Sequence, residues 1–299
     1  MRKLIVTGAS GFLGWNICLA AKAEWDVIGI GHSHDISDFP APLLSFDLCD
    51  TNGVARLFDK IRPYAVIHAA AQADPNFCQM HPEQTARINV EASENIARLC
   101  ARFCADCVFT STDLVFGGDN PPNSESSPLG PVSVYGEQKA EAERRMLEVN
   151  KDVLVCRLPL MFGDAPLHSK NHLIALIDNL LKGKEIALFV DEYRSPVSGL
   201  DAAKGILRFI GTSRGVLHLG GTQRVSRYDF GLAVSRALGA REACIKPCHQ
   251  KDIVMSAPRP KDVSLDSSKA LALGWAPDSI EKALGKLECI RTKRVRTET

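Results

Sequence analysis

Short apolar runs alternate along the first half of the chain with longer amphipathic ones. Residues 3–7, 26–31, 43–46, 65–68, 108–112 and 153–157 are mostly aliphatic or β-branched. Runs with no polar face predict strands buried on both sides, as in a parallel sheet. Between them, residues 16–23, 51–61, 81–103 and 135–149 carry apolar side chains at helical spacing. Strand and helix in turn predict a doubly wound α/β sheet. Beyond Gly163 the pattern loosens. Helices are expected over 171–181 and 201–210, strands over 186–190 and 215–220, and a helix capped by Ser226 up to Leu238.

The first strand runs into Gly8-Ala9-Ser10-Gly11-Phe12-Leu13-Gly14. Glycines at a strand-to-helix turn let backbone approach a pyrophosphate, and the helix N-terminus offers N–H groups and a positive dipole end. Gly8, Ser10, Gly11, Phe12, Leu13 and Gly14 are therefore candidate dinucleotide contacts. The second strand ends in Gly31, His32 and Ser33, with Asp35 a little late. No acid repels a 2′-phosphate there and no arginine grips one, so NADP(H) is slightly preferred over NAD(H), with His32 the candidate contact. Ala69, Ala70 and Ala71 close the fourth strand with side chains small enough for a flat cofactor to pass.

Two further features add chemistry. Tyr135 and Lys139 lie four residues apart, on one face of a helix. An ammonium beside a phenol is expected to lower the phenol pKa and let it exchange a proton at neutral pH. Thr112 ends the fifth strand, and ligands of open parallel sheets bind at such carboxyl ends.

Thr112, Tyr135 and Lys139, in that order after a glycine-rich first turn, resemble the short-chain dehydrogenase/reductase superfamily. The G-x-x-G-x-x-G spacing and the chain length resemble its extended, nucleotide-sugar branch. Asp113-Leu114-Val115-Phe116 after Thr112, and Arg259-Pro260-Lys261-Asp262-Val263-Ser264-Leu265-Asp266, are similar to the dTDP-4-dehydrorhamnose reductases. The resemblance implies a Rossmann-type dinucleotide domain over residues 1–165, to which 197–218 returns, and a substrate lobe from 166–196 and 219–299. It implies reduction of a 4-keto nucleotide-diphosphate sugar, with Tyr135 as proton donor, Lys139 on the nicotinamide ribose and Thr112 on the carbonyl. Asp47, Leu48, Asn89, Leu158 and Leu160 are implied as further cofactor contacts, and Asn171, Arg194 and Arg259 as substrate contacts. Leu114 stands where the branch's dehydratases carry a glutamate, which disfavours dehydration. Gln72 to Phe77 departs from the dTDP-rhamnose enzymes and leaves the sugar open. The resemblance also implies pairing into a homodimer. It admits two alternatives, a cofactor-binding regulatory subunit similar to methionine adenosyltransferase subunit β and a nucleotide-sugar epimerase.

Composition changes little. The 299 residues carry a net charge of +1, so no bulk field argues for nucleic acid or membrane as partner. No apolar run reaches the ~18 residues of a membrane span. Met1-Arg2-Lys3 leads straight into a strand, so no signal peptide and a cytoplasmic location are expected. Cys100, Cys104 and Cys107 have a cluster-like spacing, but they fall on separate elements and are expected to be free thiols rather than metal ligands.

Overall fold

The computed structural model describes residues 1–32, 39–166 and 172–294. The chain runs β1 (Arg2–Thr7), α1 (Phe12–Ala21), β2 (Trp25–Gly31), β3 (Leu43–Ser45), α2 (Thr51–Ile61), β4 (Ala65–His68), α3 (Pro75–Met80) and α4 (Pro82–Ala86). A π-helical turn (Arg87–Glu91) joins α4 to α5 (Ala92–Phe103), followed by β5 (Asp106–Thr112), a 3-10 turn (Asp113–Val115), α6 (Val134–Val149) and β6 (Leu154–Leu158). The remainder holds β7 (Met161–Phe162), α7 (His172–Leu181), β8 (Ile186–Phe189), β9 (Tyr193–Arg194), β10 (Val197–Ser198), α8 (Gly199–Phe209), β11 (Gly215–His218), β12 (Val225–Ser226) and α9 (Arg227–Leu238). It ends with β13 (Ile245–Cys248), α10 (Ser268–Ala272), α11 (Ile280–Lys286) and α12 (Glu288–Arg294).

Seven strands form one sheet in the order β11-β6-β5-β4-β1-β2-β3, and every pairing is parallel. Leu4, Ile5 and Val6 of the central strand are fully buried, as a strand covered on both faces requires. Ile17, Ala202 and Ile206 cover one face, and Phe58, Ile96 and Met146 the other. β11 joins the sheet beside β6, and α8 packs against α1. A separate cluster around Leu173, Ile177, Phe230, Val234 and Leu284 holds α7, α9 and α11 together.

Local signals explain most boundaries. Ser133 accepts from the Gly136 N–H at the start of α6, and Ser226 and Asp229 form a reciprocal capping box on α9. Two segments depart from expectation. The stretch Gln72 to Phe77 reads as loop, but its last three residues open α3, because Asp74 accepts from the Asn76 and Phe77 N–H groups and Pro75 occupies the first turn. The helix expected over 81–103 is interrupted by the π-helical turn around Asn89, a feature frequent at functional sites. The loop after β5 is docked: the Asn123 N–H donates to the Ser264 carbonyl at 2.8 Å and the Asp266 N–H to the Asn123 carbonyl at 2.7 Å.

Candidate active site

The glycine turn between β1 and α1 is tight. Gly8 has φ +66°, and a Cβ at Gly14 would lie 2.2 Å from the Gly8 carbonyl oxygen. α1 opens on Gly11 with no side-chain cap, so its first-turn N–H groups are free of protein side chains. The alanine run presses on this turn: a Cβ at Gly8 would sit 2.7 Å from Ala69 and Ala70 backbone. The Ala70 N–H donates to Thr7 Oγ1 at 3.3 Å. Beneath, His68 lies between Thr7 Oγ1 at 2.7 Å and Ser93 Oγ at 3.0 Å. Burial, then the charge of Lys139, push His68 down to about 3, so it is neutral at pH 7.

The other implied cofactor residues scatter in character. Ser10 borders Gly31, and Phe12 packs on Gly199 at the start of α8. Leu13, Leu48 and Leu158 are buried in the core, leaving their backbone as the part able to meet a ligand. His32 and Asp47 are exposed. Asp47 accepts from the Cys49 N–H at 2.9 Å, and the His32 carbonyl from Ser45 Oγ at 3.0 Å. Asn89 is spent on protein: it accepts from the Gln72 N–H at 2.9 Å and donates to the Gln72 carbonyl at 3.1 Å and to Gln138 at 2.8 Å. Its place is to tie the loop after β4 to α6.

Thr112, Tyr135 and Lys139 come together at the carboxyl end of β5, all under 9% exposed. α6 approaches closely because residue 136 is glycine; a Cβ there would lie 2.3 Å from the Leu114 carbonyl. Thr112 Oγ1 accepts from the Leu114 N–H and donates to Asp113 Oδ1, each at 3.2 Å. Lys139 Nζ donates to the Thr110 carbonyl at 2.7 Å and lies 3.8 Å from the Phe109 ring centre. Burial lowers Lys139 to about 7, against the nearby Glu143 carboxylate, which holds it up.

The expected fall of the Tyr135 pKa is not what the structure gives. Burial pushes the phenol well above its usual range, Cys78 and Asp113 add to the rise, and Arg194 and Thr112 oppose it. Desolvation disfavours the phenolate more than the neighbouring donors favour it.

Arg194 also differs from expectation. Its guanidinium is engaged with Asp113 through two bonds of 2.5 Å, Nε to Oδ2 and Nη2 to Oδ1, and reaches Glu192 at 3.4 Å. Asp113 is fully buried. The implied role on a substrate diphosphate gives way to a buried ion pair, because both forks of the arginine are committed. Arg259 is half-buried and, among the described residues, makes no ion pair or side-chain hydrogen bond. Asn171 lies outside the described residues, as do Ser33 and Asp35.

Arg227, which sequence reasoning passed over, completes this flank. It too has no ion-pair partner among the described residues, and burial lowers its pKa, with Glu192 opposing. A legible signal existed: Arg227 is the first residue of α9, where a cation runs against the helix dipole. Together with His172, Leu160, Leu188 and Phe230 it lines a cavity of about 180 Å³ between β7, α7, β8 and α9. Burial lowers the His172 pKa, and the charges of Arg227 and Arg259 add to it.

The chain matches the RmlD substrate binding domain family over residues 1–288. It belongs to that family. A relative, methionine adenosyltransferase 2 subunit beta of Xenopus laevis, is 30% identical over 281 residues, covering 91% of this chain and 83% of its own. A hypothetical dTDP-4-dehydrorhamnose reductase from Sulfolobus tokodaii is 30% identical, with TM-score 0.82 over 94% of this chain and 98% of its own. A dTDP-4-dehydrorhamnose reductase from Bacillus anthracis, in complex with NADP, shares the fold at TM-score 0.86 and 23% identity, over 96% of this chain and 99% of its own. This RmlD-family chain thus has the extended short-chain dehydrogenase/reductase architecture that the motifs implied. None of its described helices is long and apolar enough to cross a membrane.

Proposed function

We propose that this protein is an NAD(P)H-dependent reductase of a 4-keto nucleotide-diphosphate sugar, with NADPH slightly favoured. The observation that carries the reading is the buried meeting of Thr112, Tyr135 and Lys139 beside the glycine turn. The Gly8–Gly14 turn and uncapped α1 fit a dinucleotide pyrophosphate. Bound there, a reduced nicotinamide supplies hydride; the chain's residues do the rest. Tyr135, held protonated by burial, gives its phenolic proton to the ketone oxygen. Positioned acids of this kind contribute about 10²–10⁴ in rate. Thr112, whose single proton goes to Asp113, stands against the Tyr135 phenol and fixes its place beside the ketone oxygen. Lys139 binds the nicotinamide ribose and, near its midpoint at neutral pH, can restore the proton. Arg227 and Arg259, half-buried and in no ion pair among the described residues, take the diphosphate, and the cavity beside Arg227 takes the base.

The test is oxidation of NADPH by the purified protein across a panel of nucleotide 4-keto sugars, dTDP-4-dehydrorhamnose first. Turnover of at least one supports the reading. The identity to methionine adenosyltransferase subunits favours one second reading, a cofactor-binding regulatory subunit. Thermal stabilisation by NADPH without turnover of any sugar, together with co-purification of a synthetase, selects it instead.

A further inference from the structure

The Asp113–Arg194 pair joins the two halves of the site. Asp113 follows Thr112 directly, and Arg194 lies in β9, 81 residues away in sequence. Arg194 takes both Asp113 oxygens, and Asp113 in turn accepts the Thr112 hydroxyl proton at 3.2 Å. β9 pairs with β12, which leads into Arg227, and Tyr193 exchanges hydrogen bonds with the 261–263 segment beyond Arg259. The segment holding the two arginines is thereby fastened to Thr112.

We propose that Asp113 and Arg194 are positioning residues, which touch no substrate and transmit the placement of the substrate-binding segment to Thr112 and Tyr135. This rests on the reductase reading and deepens it. Asp113 orients the Thr112 hydroxyl, and Arg194 keeps Asp113 ionised so that it accepts rather than donates. The charged or titratable groups facing Asp113 are Arg194 and Glu192 on the lobe segment and Tyr135 on α6, with the Thr112 hydroxyl beside it. Of these, Arg194 opposes the rise that burial imposes on the carboxyl.

The test is steady-state kinetics against pH with NADPH and dTDP-4-dehydrorhamnose. Arg194→Gln is expected to lower kcat about tenfold by misplacing Thr112, with KM for the sugar nucleotide within about twofold of wild type. It should also acquire an acid limb that wild type lacks. Without its guanidinium the buried Asp113 takes up a proton as pH falls, and Thr112 loses its acceptor. Asp113→Asn/Arg194→Gln has no carboxyl to titrate, so the limb should vanish and part of kcat return. Mere loosening of the fold would lower kcat equally at every pH. A raised KM with intact kcat, a flat profile in Arg194→Gln, or a double variant no better than the single would overturn the proposal. If Arg194→Gln does not fold, the double variant carries the test: kcat above that of Asp113→Asn alone supports coupling, and kcat equal or below refutes it. Tyr135→Phe is run alongside. No turnover by wild type of any 4-keto sugar nucleotide in the panel, or full turnover by Tyr135→Phe, sinks the reductase reading and the positioning role with it. An inactive Tyr135→Phe beside an unaffected Arg194→Gln sinks the positioning role alone.

Discussion

The two flanks of the crevice are built from opposite materials. On the dinucleotide side the Gly8–Gly14 turn, the alanine run, the neutral His68 and the fully bonded Asn89 present backbone and neutral polar groups. On the other flank Asp113, Glu192, Arg194, Arg227, Arg259 and His172 crowd together, and burial shifts the pKa of most of them. His68 and Asn89 are packed to completion without a ligand, since each finds its hydrogen bonds within the fold, while the uncapped first turn of α1 is left for one. Arg227 and Arg259, half-buried and in no ion pair among the described residues, are the cations an anion would relieve on the proposed reading, whereas Arg194 is already paired with Asp113.

That contrast can be broken most forcefully at a pair already complete. Arg157 on β6 and Glu143 on α6, both 4% exposed in their side chains, meet at 2.7 Å, and Ser111 Oγ also donates to Glu143. Arg157→Met should cost about 3–5 kcal/mol of stability, the usual penalty for orphaning a buried charge, with sugar-nucleotide KM unchanged in whatever fraction folds; chemical denaturation measures it. Arg227→Gln should do the reverse. It removes no internal ion pair, so the melting midpoint should hold or rise. KM should increase about 10- to 100-fold, the loss of a charged hydrogen bond worth roughly 1.5–3 kcal/mol. Were Arg227→Gln destabilised with KM intact, the arginine would be structural and the two flanks alike.

Sequence legibility follows the same division. The dinucleotide flank is contiguous: a strand, seven residues of turn and a helix reveal themselves by spacing, as do Tyr135 and Lys139 four apart. Thr112 is found because it ends a recognisable strand. The charged flank is assembled from residues far apart in sequence, so no local pattern tells a phosphate-binding arginine from a strut. Arg194 was misjudged for that reason; Arg227 was missed although its place at the start of α9 sets it against the helix dipole. The direction of the Tyr135 shift was misread because burial, its largest cause, is a property of the packed chain. α3 was missed although its Asp74-Pro75 cap was in plain view, since a short capped turn looks like loop.

The proposed reduction turns on one phenolic proton. Its most direct test measures NADPH binding and single-turnover oxidation by dTDP-4-dehydrorhamnose, or whichever 4-keto sugar nucleotide proves to be the substrate, in wild type and Tyr135→Phe. The expected result is NADPH affinity preserved and hydride transfer slowed by about 10²–10⁴ in the variant. Equal rates in the two proteins would contradict it.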